Sequence, residues 1–115
     1  MGNIIYIGKV IKKASSNEKR AIEKGMKKLC EKIEQNERQG IRFEKIFNDD
    51  TIKYDVLGNS FFTFKSTNQE MPLRILYRFN RTVDGFDLEV HKVYQKKYND
   101  KRYMSEFAEY VKSAL

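Results

Sequence analysis

The chain reads as one domain of α+β class, in which a strand, a long helix, a meander of strands and a closing helix follow one another. Three observations carry that reading. Ser15 and Glu18 stand at capping-box spacing ahead of an apolar stripe with helical intervals. Residues 73–79 alternate apolar and polar at the two-residue period of a strand, apart from Leu76. Near the C-terminus Tyr103, Phe107, Tyr110, Val111 and Ala114 return at helical spacing. A length of 115 residues suits a single hydrophobic core spanning residues 1–115, without an internal linker.

Taken in order, residues 3–11 are rich in β-branched and aromatic types and predict a first strand, weakened at Gly8. The helix that Ser15 and Glu18 open should face the core with Ile22, Met26, Leu29 and Ile33, flanked by Ala21, Gly25 and Cys30. Its remaining surface interleaves Lys19, Arg20, Lys24, Lys27, Lys28 and Lys32 with four glutamates, the pattern of a solvated face with i,i+4 pairing. Gly40 suits the left-handed conformation that ends a helix. Asn48, Asp49 and Asp50 form a turn cluster between residues 43–47 and 52–57, predicting short strands or an irregular hairpin. After a break at Gly58 and Asn59, residues 61–65 read as a strand with Phe62 and Phe64 on one face, Thr63 and Lys65 on the other. Residues 73–79 then place Arg74 and Arg78 together opposite Leu73, Ile75, Tyr77 and Phe79. Asp84 and Gly85 make a hairpin turn into a strand at 86–94, antiparallel to its predecessor. Asn99 or Asp100 caps the last helix.

Composition narrows the function. The chain carries 23 Lys and Arg against 16 Asp and Glu, a net charge of +7, which concentrates polyanions around it and makes nucleic acid the first partner to consider. A lone cysteine, Cys30, excludes an intramolecular disulfide and a cysteine-based zinc cluster, and points to a reducing, cytoplasmic setting. The apolar run at Ile4, Ile5, Tyr6 and Ile7 is too short for a signal sequence or a membrane span, so no membrane association is expected. No cluster of carboxylates and histidine suggests a metal, and no cofactor is expected.

The chemistry-bearing residues gather in the C-terminal half: Arg74 and Arg78 on one strand, His91 on its neighbour, and Lys96, Lys97 and Tyr98 just beyond it. Arginine grips two phosphate oxygens, lysine supplies a compact charge, and histidine gives or takes a proton near neutrality. Those types suit cleavage of RNA, in which the ribose 2′-OH attacks its own phosphorus once a base removes its proton and cations hold the crowded phosphate. Tyr94, Tyr98 or Tyr103 would stack on an unpaired base. Each residue also has a structural alternative. Arg74 and Arg78 would pair with Glu89 across the sheet, His91 would be a structural histidine, Lys96 and Lys97 a solvated run, and the tyrosines core or rim.

Three segments carry a resemblance. Leu57 and Gly58 lead into the strand at 61–65; Leu73, Arg74, Ile75, Leu76 and Tyr77 form the arginine-bearing strand; and Val90, His91, Lys92, Val93, Tyr94, Gln95, Lys96 and Lys97 precede the last helix. On these residues, from about Glu18 to Val111, the chain resembles the RelE/HigB superfamily of bacterial toxins, and most closely its phage-derived HigB-like branch. The resemblance implies a compact RelE-like domain, a curved antiparallel sheet packed with an N-terminal and a C-terminal helix. It implies the toxin component of a toxin-antitoxin system, held by a cognate antitoxin protein and, as in many members, cleaving messenger RNA at the ribosome as a metal-independent endoribonuclease. Carried over position by position, it points to Arg74, His91, Lys96 and Lys97 as catalytic, with Lys65 and Arg78 as further RNA-binding positions; Tyr98 joins the RNA-binding set from its own chemistry, as a ring that stacks on a base, and stands where the chain departs from the family pattern. Some members of the superfamily poison DNA gyrase instead, so a noncatalytic inhibitor of a protein target, or a small RNA-binding regulator of a mobile element, stays open.

Overall fold

Ser15 does what its spacing with Glu18 predicts: its Oγ accepts the Glu18 backbone N–H at 3.2 Å and opens a long helix. The computed structural model describes residues 1–58, 60–66, 71–95 and 101–114. In it β1 (Gly2–Tyr6) is followed by α1 (Ser16–Arg38), a 3-10 turn at Phe43–Lys45, β2 (Tyr54–Asp55), β3 (Phe61–Lys65), β4 (Leu73–Arg81), β5 (Phe86–Gln95) and α2 (Arg102–Ala114). The strands form one sheet in the order β1-β5-β4-β3-β2, and the class is α+β with α1 and α2 flanking the sheet.

From β2 to β5 every pairing is antiparallel, as expected. β1 departs from that: it lies parallel to β5, Gly2 opposite Phe86 and Tyr6 opposite Val90, so the sheet is mixed. Parallel neighbours need a long crossover, and here everything from α1 to β4 lies between the two strands. β1 also stops at Tyr6, short of the expected residue 11. Gly8 takes a φ of +61°, and the chain turns through Lys13 N–H to Lys9 O at 3.0 Å, while Val10 and Ile11 still pack on the core.

Between α1 and β3 the chain is less strand-like than the expectation for residues 43–47 and 52–57. Phe43 sits in a 3-10 turn because its ring is drawn into the core, stacked on Phe79 at 3.9 Å and edge-on to Phe62 at 5.2 Å. Asp49 accepts from the Thr51 N–H and hydroxyl, which closes a turn and leaves a two-residue β2.

The two faces of the sheet carry separate cores. Under α1, the stripe Ile22, Met26, Leu29 and Ile33 packs on Phe62, Phe64, Leu73, Ile75, Tyr77, Phe79, Phe86, Leu88 and Val90. On the other face Tyr103, Phe107 and Val111 of α2 pack on Val56, Phe61 and Leu76. That second face also carries Arg74 and Arg78. The β4–β5 register jumps there: Leu76 faces Lys92 and Tyr77 faces Val90, leaving His91 as an extra residue in β5. Such a bulge bends the strand and re-aims a side chain. His91 and Lys92 both reach Tyr110 of α2, and Val93 returns to the α1 core. Among the described residues no helix is long and apolar enough to cross a membrane.

Candidate functional site around His91

Strand pairing brings Arg74, Arg78 and His91 to the same sheet face, yet it gives each a different task. The Arg74 side chain is only 5% exposed, and its two terminal nitrogens bind the two Asp50 carboxylate oxygens at 2.6 and 2.8 Å. Its guanidinium carbon lies 4.8 Å from the centre of the Tyr103 ring. The fork that would grip a phosphate is therefore occupied by a carboxylate and covered by α2. Arg78 is exposed, opposite Glu89 in register, with its guanidinium 5.5 Å from the Phe61 ring. Lys65 is exposed opposite Arg74. Lys96, Lys97 and Tyr98 lie outside the described residues.

His91 is held on both sides. Nδ1 is 2.9 Å from the Tyr110 hydroxyl and Nε2 is 3.3 Å from Glu89 Oε1, while the side chain is 11% exposed. The Phe61 ring stands edge-on to the imidazole at 5.0 Å. A neutral ring with its proton on Nε2 satisfies both contacts: it donates to Glu89 and accepts the Tyr110 proton on Nδ1. The bulge makes this possible, because it turns His91 toward α2 beside Lys92.

His91 and Tyr110 line one wall of a cleft of about 410 Å³. Its other walls come from the β1–α1 turn with Lys9 and Lys13, from Glu18 and Ile22 of α1, and from Lys92 and Val93 of β5. Three lysines thus face one carboxylate in a concavity large enough for a nucleotide-sized ligand. The Lys92 ammonium lies 5.7 Å from the Tyr110 ring centre, anchoring one cation at the mouth. Among the described residues, no three His, Cys, Asp or Glu side chains are grouped to hold a metal ion.

Sequence reasoning named His91 and missed what surrounds it. Tyr110 fell on the apolar spacing of α2 and read as core; Lys9 and Lys13 lie some eighty residues from His91 along the chain. A bulge leaves no mark on residue type, so only Lys92, adjacent to His91, carried a usable signal. Comparison with protein-family models, with curated proteins and with solved structures finds no match.

Proposed function

We propose that the chain is a toxin-like, metal-independent endoribonuclease acting on messenger RNA, with His91 at the centre of proton transfer and a cognate antitoxin as its partner. One observation carries the reading: the single histidine of a chain with a net charge of +7 is oriented by a carboxylate and a phenol at the edge of a lysine-lined cleft. Carboxylate, imidazole and hydroxyl in series form an arrangement that moves a proton at neutral pH, and lysines stabilise the charge that builds on a phosphate under attack. RNA suits that chemistry because its own 2′-OH is the nucleophile. In this reading Arg74 braces Tyr103 and Asp50 beneath α2, and Arg78 and Lys65 extend the basic surface along the RNA backbone.

Controlled expression of the wild type beside His91→Ala, with growth and mapped RNA ends read together, tests it. The wild type should arrest growth and create new message ends bearing 5′-hydroxyl and 2′,3′-cyclic phosphate groups. His91→Ala should lose both, by about 10²-fold or more in cleavage, the usual weight of a positioned acid or base. A second reading is favoured by the engagement of Arg74: with its fork on Asp50, the scaffold would serve as a noncatalytic inhibitor of a protein target. Growth arrest without new ends would support that reading instead.

A further inference from the structure

The two edges of the sheet are protected unequally. β2, at one edge, is two residues long and carries Asp55, and short charged edges resist pairing with other chains. β1, at the other, is the run Gly2, Asn3, Ile4, Ile5, Tyr6, with no charge and no proline. Its backbone reaches β5 through alternate residues: the Phe86 N–H donates to the Met1 carbonyl at 3.3 Å, and the Ile7 N–H to the Val90 carbonyl at 2.9 Å. In a parallel pair that pattern commits Asn3 and Ile5 to β5 and turns the N–H and C=O of Gly2, Ile4 and Tyr6 outward. Glu34 takes the Gly2 N–H at 3.0 Å. Among the described residues nothing takes the outward groups of Ile4 and Tyr6. Ile4 and Tyr6 pack their side chains on the α1 core, while Ile5, 40% exposed, stands on the opposite face, where the core under α2 does not reach β1.

We propose that β1 is a dimerisation edge: a second copy of this chain adds its own β1 antiparallel, across a two-fold axis at Ile5, so that one sheet runs through both molecules. Glu34 selects that register. An axis at Ile4 would need the Gly2 N–H that Glu34 already holds. With the axis one residue further on, Ile4 of each copy exchanges both main-chain bonds with Tyr6 of the other, and Ile5 meets Ile5 as a non-hydrogen-bonded pair, the closer kind, which covers the exposed side chain. Charge favours a second copy as the occupant. Glu34 and Asp87 stand at the start of β1, and the strand runs out into Lys9, Lys12 and Lys13. Antiparallel pairing brings Gly2 opposite Gly8 and lays the acidic start of each copy against the basic end of the other. That local attraction offsets the repulsion between two chains of net charge +7, and the two-fold makes the contact twice. Nothing in this pairing depends on ribonuclease activity.

Sedimentation of the full chain from about 5 to about 500 µM is expected to show a monomer–dimer equilibrium, in the weak range that small interfaces occupy. Ile5→Lys sets like charges face to face on the axis and should leave only monomer at the top of that range, with an unchanged urea midpoint because Ile5 is exposed. Tyr54→Lys, the same change at an exposed position on the opposite edge, should leave the dimer intact. Ile5→Cys decides the matter even where Ile5→Lys fails to fold. Mild oxidation should link two copies through it, because residues paired on the axis stand within disulfide reach, whereas Asn3→Cys, two residues off the axis, should link at least about tenfold more slowly. Cys30 is buried, and the wild type serves as the blank. A wild type that stays monomeric throughout, an Ile5→Lys dimer as strong as wild type, a dimer lost in Tyr54→Lys, or Asn3→Cys linking as fast as Ile5→Cys overturns the proposal. Each of these outcomes leaves the ribonuclease reading, which message ends test, where it stood.

Discussion

Arg74 shows how burial decides what a cation is free to do. An arginine 4% exposed retains its charge only if that charge is matched, and Asp50 matches it with two parallel hydrogen bonds. Asp50 itself is about half exposed, so the pair is screened on one side only. Asp50→Asn should lower stability by about 2 kcal/mol, the range for a lost charge-assisted hydrogen bond, read from urea midpoints at neutral pH. Asp50→Asn/Arg74→Met, which removes the stranded charge as well, should recover part of that loss; a double variant less stable than the single one would contradict the account. For the same reason Arg74→Ala mixes loss of fold with loss of function, and His91→Ala is the cleaner probe. Arg74 and His91 stood out in the sequence because their residue types are chemically conspicuous. Their partners did not: Asp50 lies 24 residues upstream in a turn, and Tyr110 looked like any aromatic on an apolar helix face.

At the scale of elements, α1, the 3-10 turn and β4 are tied by one arginine. Arg81 hydrogen-bonds Glu37 at the end of α1, at 2.6 and 3.1 Å, and Glu44 in the turn, through its Nε at 2.9 Å. Hydrogen bonding to Arg81 holds the Glu44 carboxyl down at about 2, against an ordinary 4.5, and lowers Glu37 as well. A carboxylate depressed in the folded state adds stability that is complete above about pH 4.5 and disappears as the pH falls toward 2, because the unfolded chain binds the proton first. Glu44 is 46% exposed, so solvent screening keeps its worth below about 1 kcal/mol. Glu44→Gln should therefore narrow the gap between urea midpoints at pH 7 and pH 3 relative to wild type, and an unchanged gap would remove Glu44 from the acid response. Capping and periodicity made α1 legible, and periodicity alone α2 and β3 to β5, because both report on single elements; the α2 cap expected at Asn99 or Asp100 lies outside the described residues. The parallel placement of β1 was not, since alternation fixes which face a side chain takes and says nothing of strand direction. Residues 43–57 escaped for a related reason: Phe43 is positioned by the rings of Phe62 and Phe79, which no local pattern contains.

The molecule as a whole is a sheet with unequal cores on its two faces. The α1 side buries a continuous cluster drawn from α1, the Phe43 turn and three strands, whereas the α2 side buries Val56, Phe61, Leu76, Tyr103, Phe107 and Val111. Local opening free energy follows the apolar area an element buries, so α2 should undock before α1 or the central strands loosen. Phe107, 1% exposed, is the hub of the smaller core, and Phe107→Ala should cost about 3 kcal/mol, near the low end for a buried phenylalanine. Native-state hydrogen exchange should then show α2 amides losing protection while those of α1, β4 and β5 change little; uniform loss across the chain would mean that the two cores open as one. The consequence reaches the site, because α2 supplies Tyr110 while β5 supplies His91 and Glu89. Undocking α2 therefore separates the phenol from its imidazole and uncovers Arg74, so under the proposed ribonuclease function Phe107→Ala should reduce cleavage in proportion to the fraction of molecules with α2 released. Cleavage that rises in this variant would instead place the working phosphate site beneath α2, on Arg74, and not in the lysine cleft.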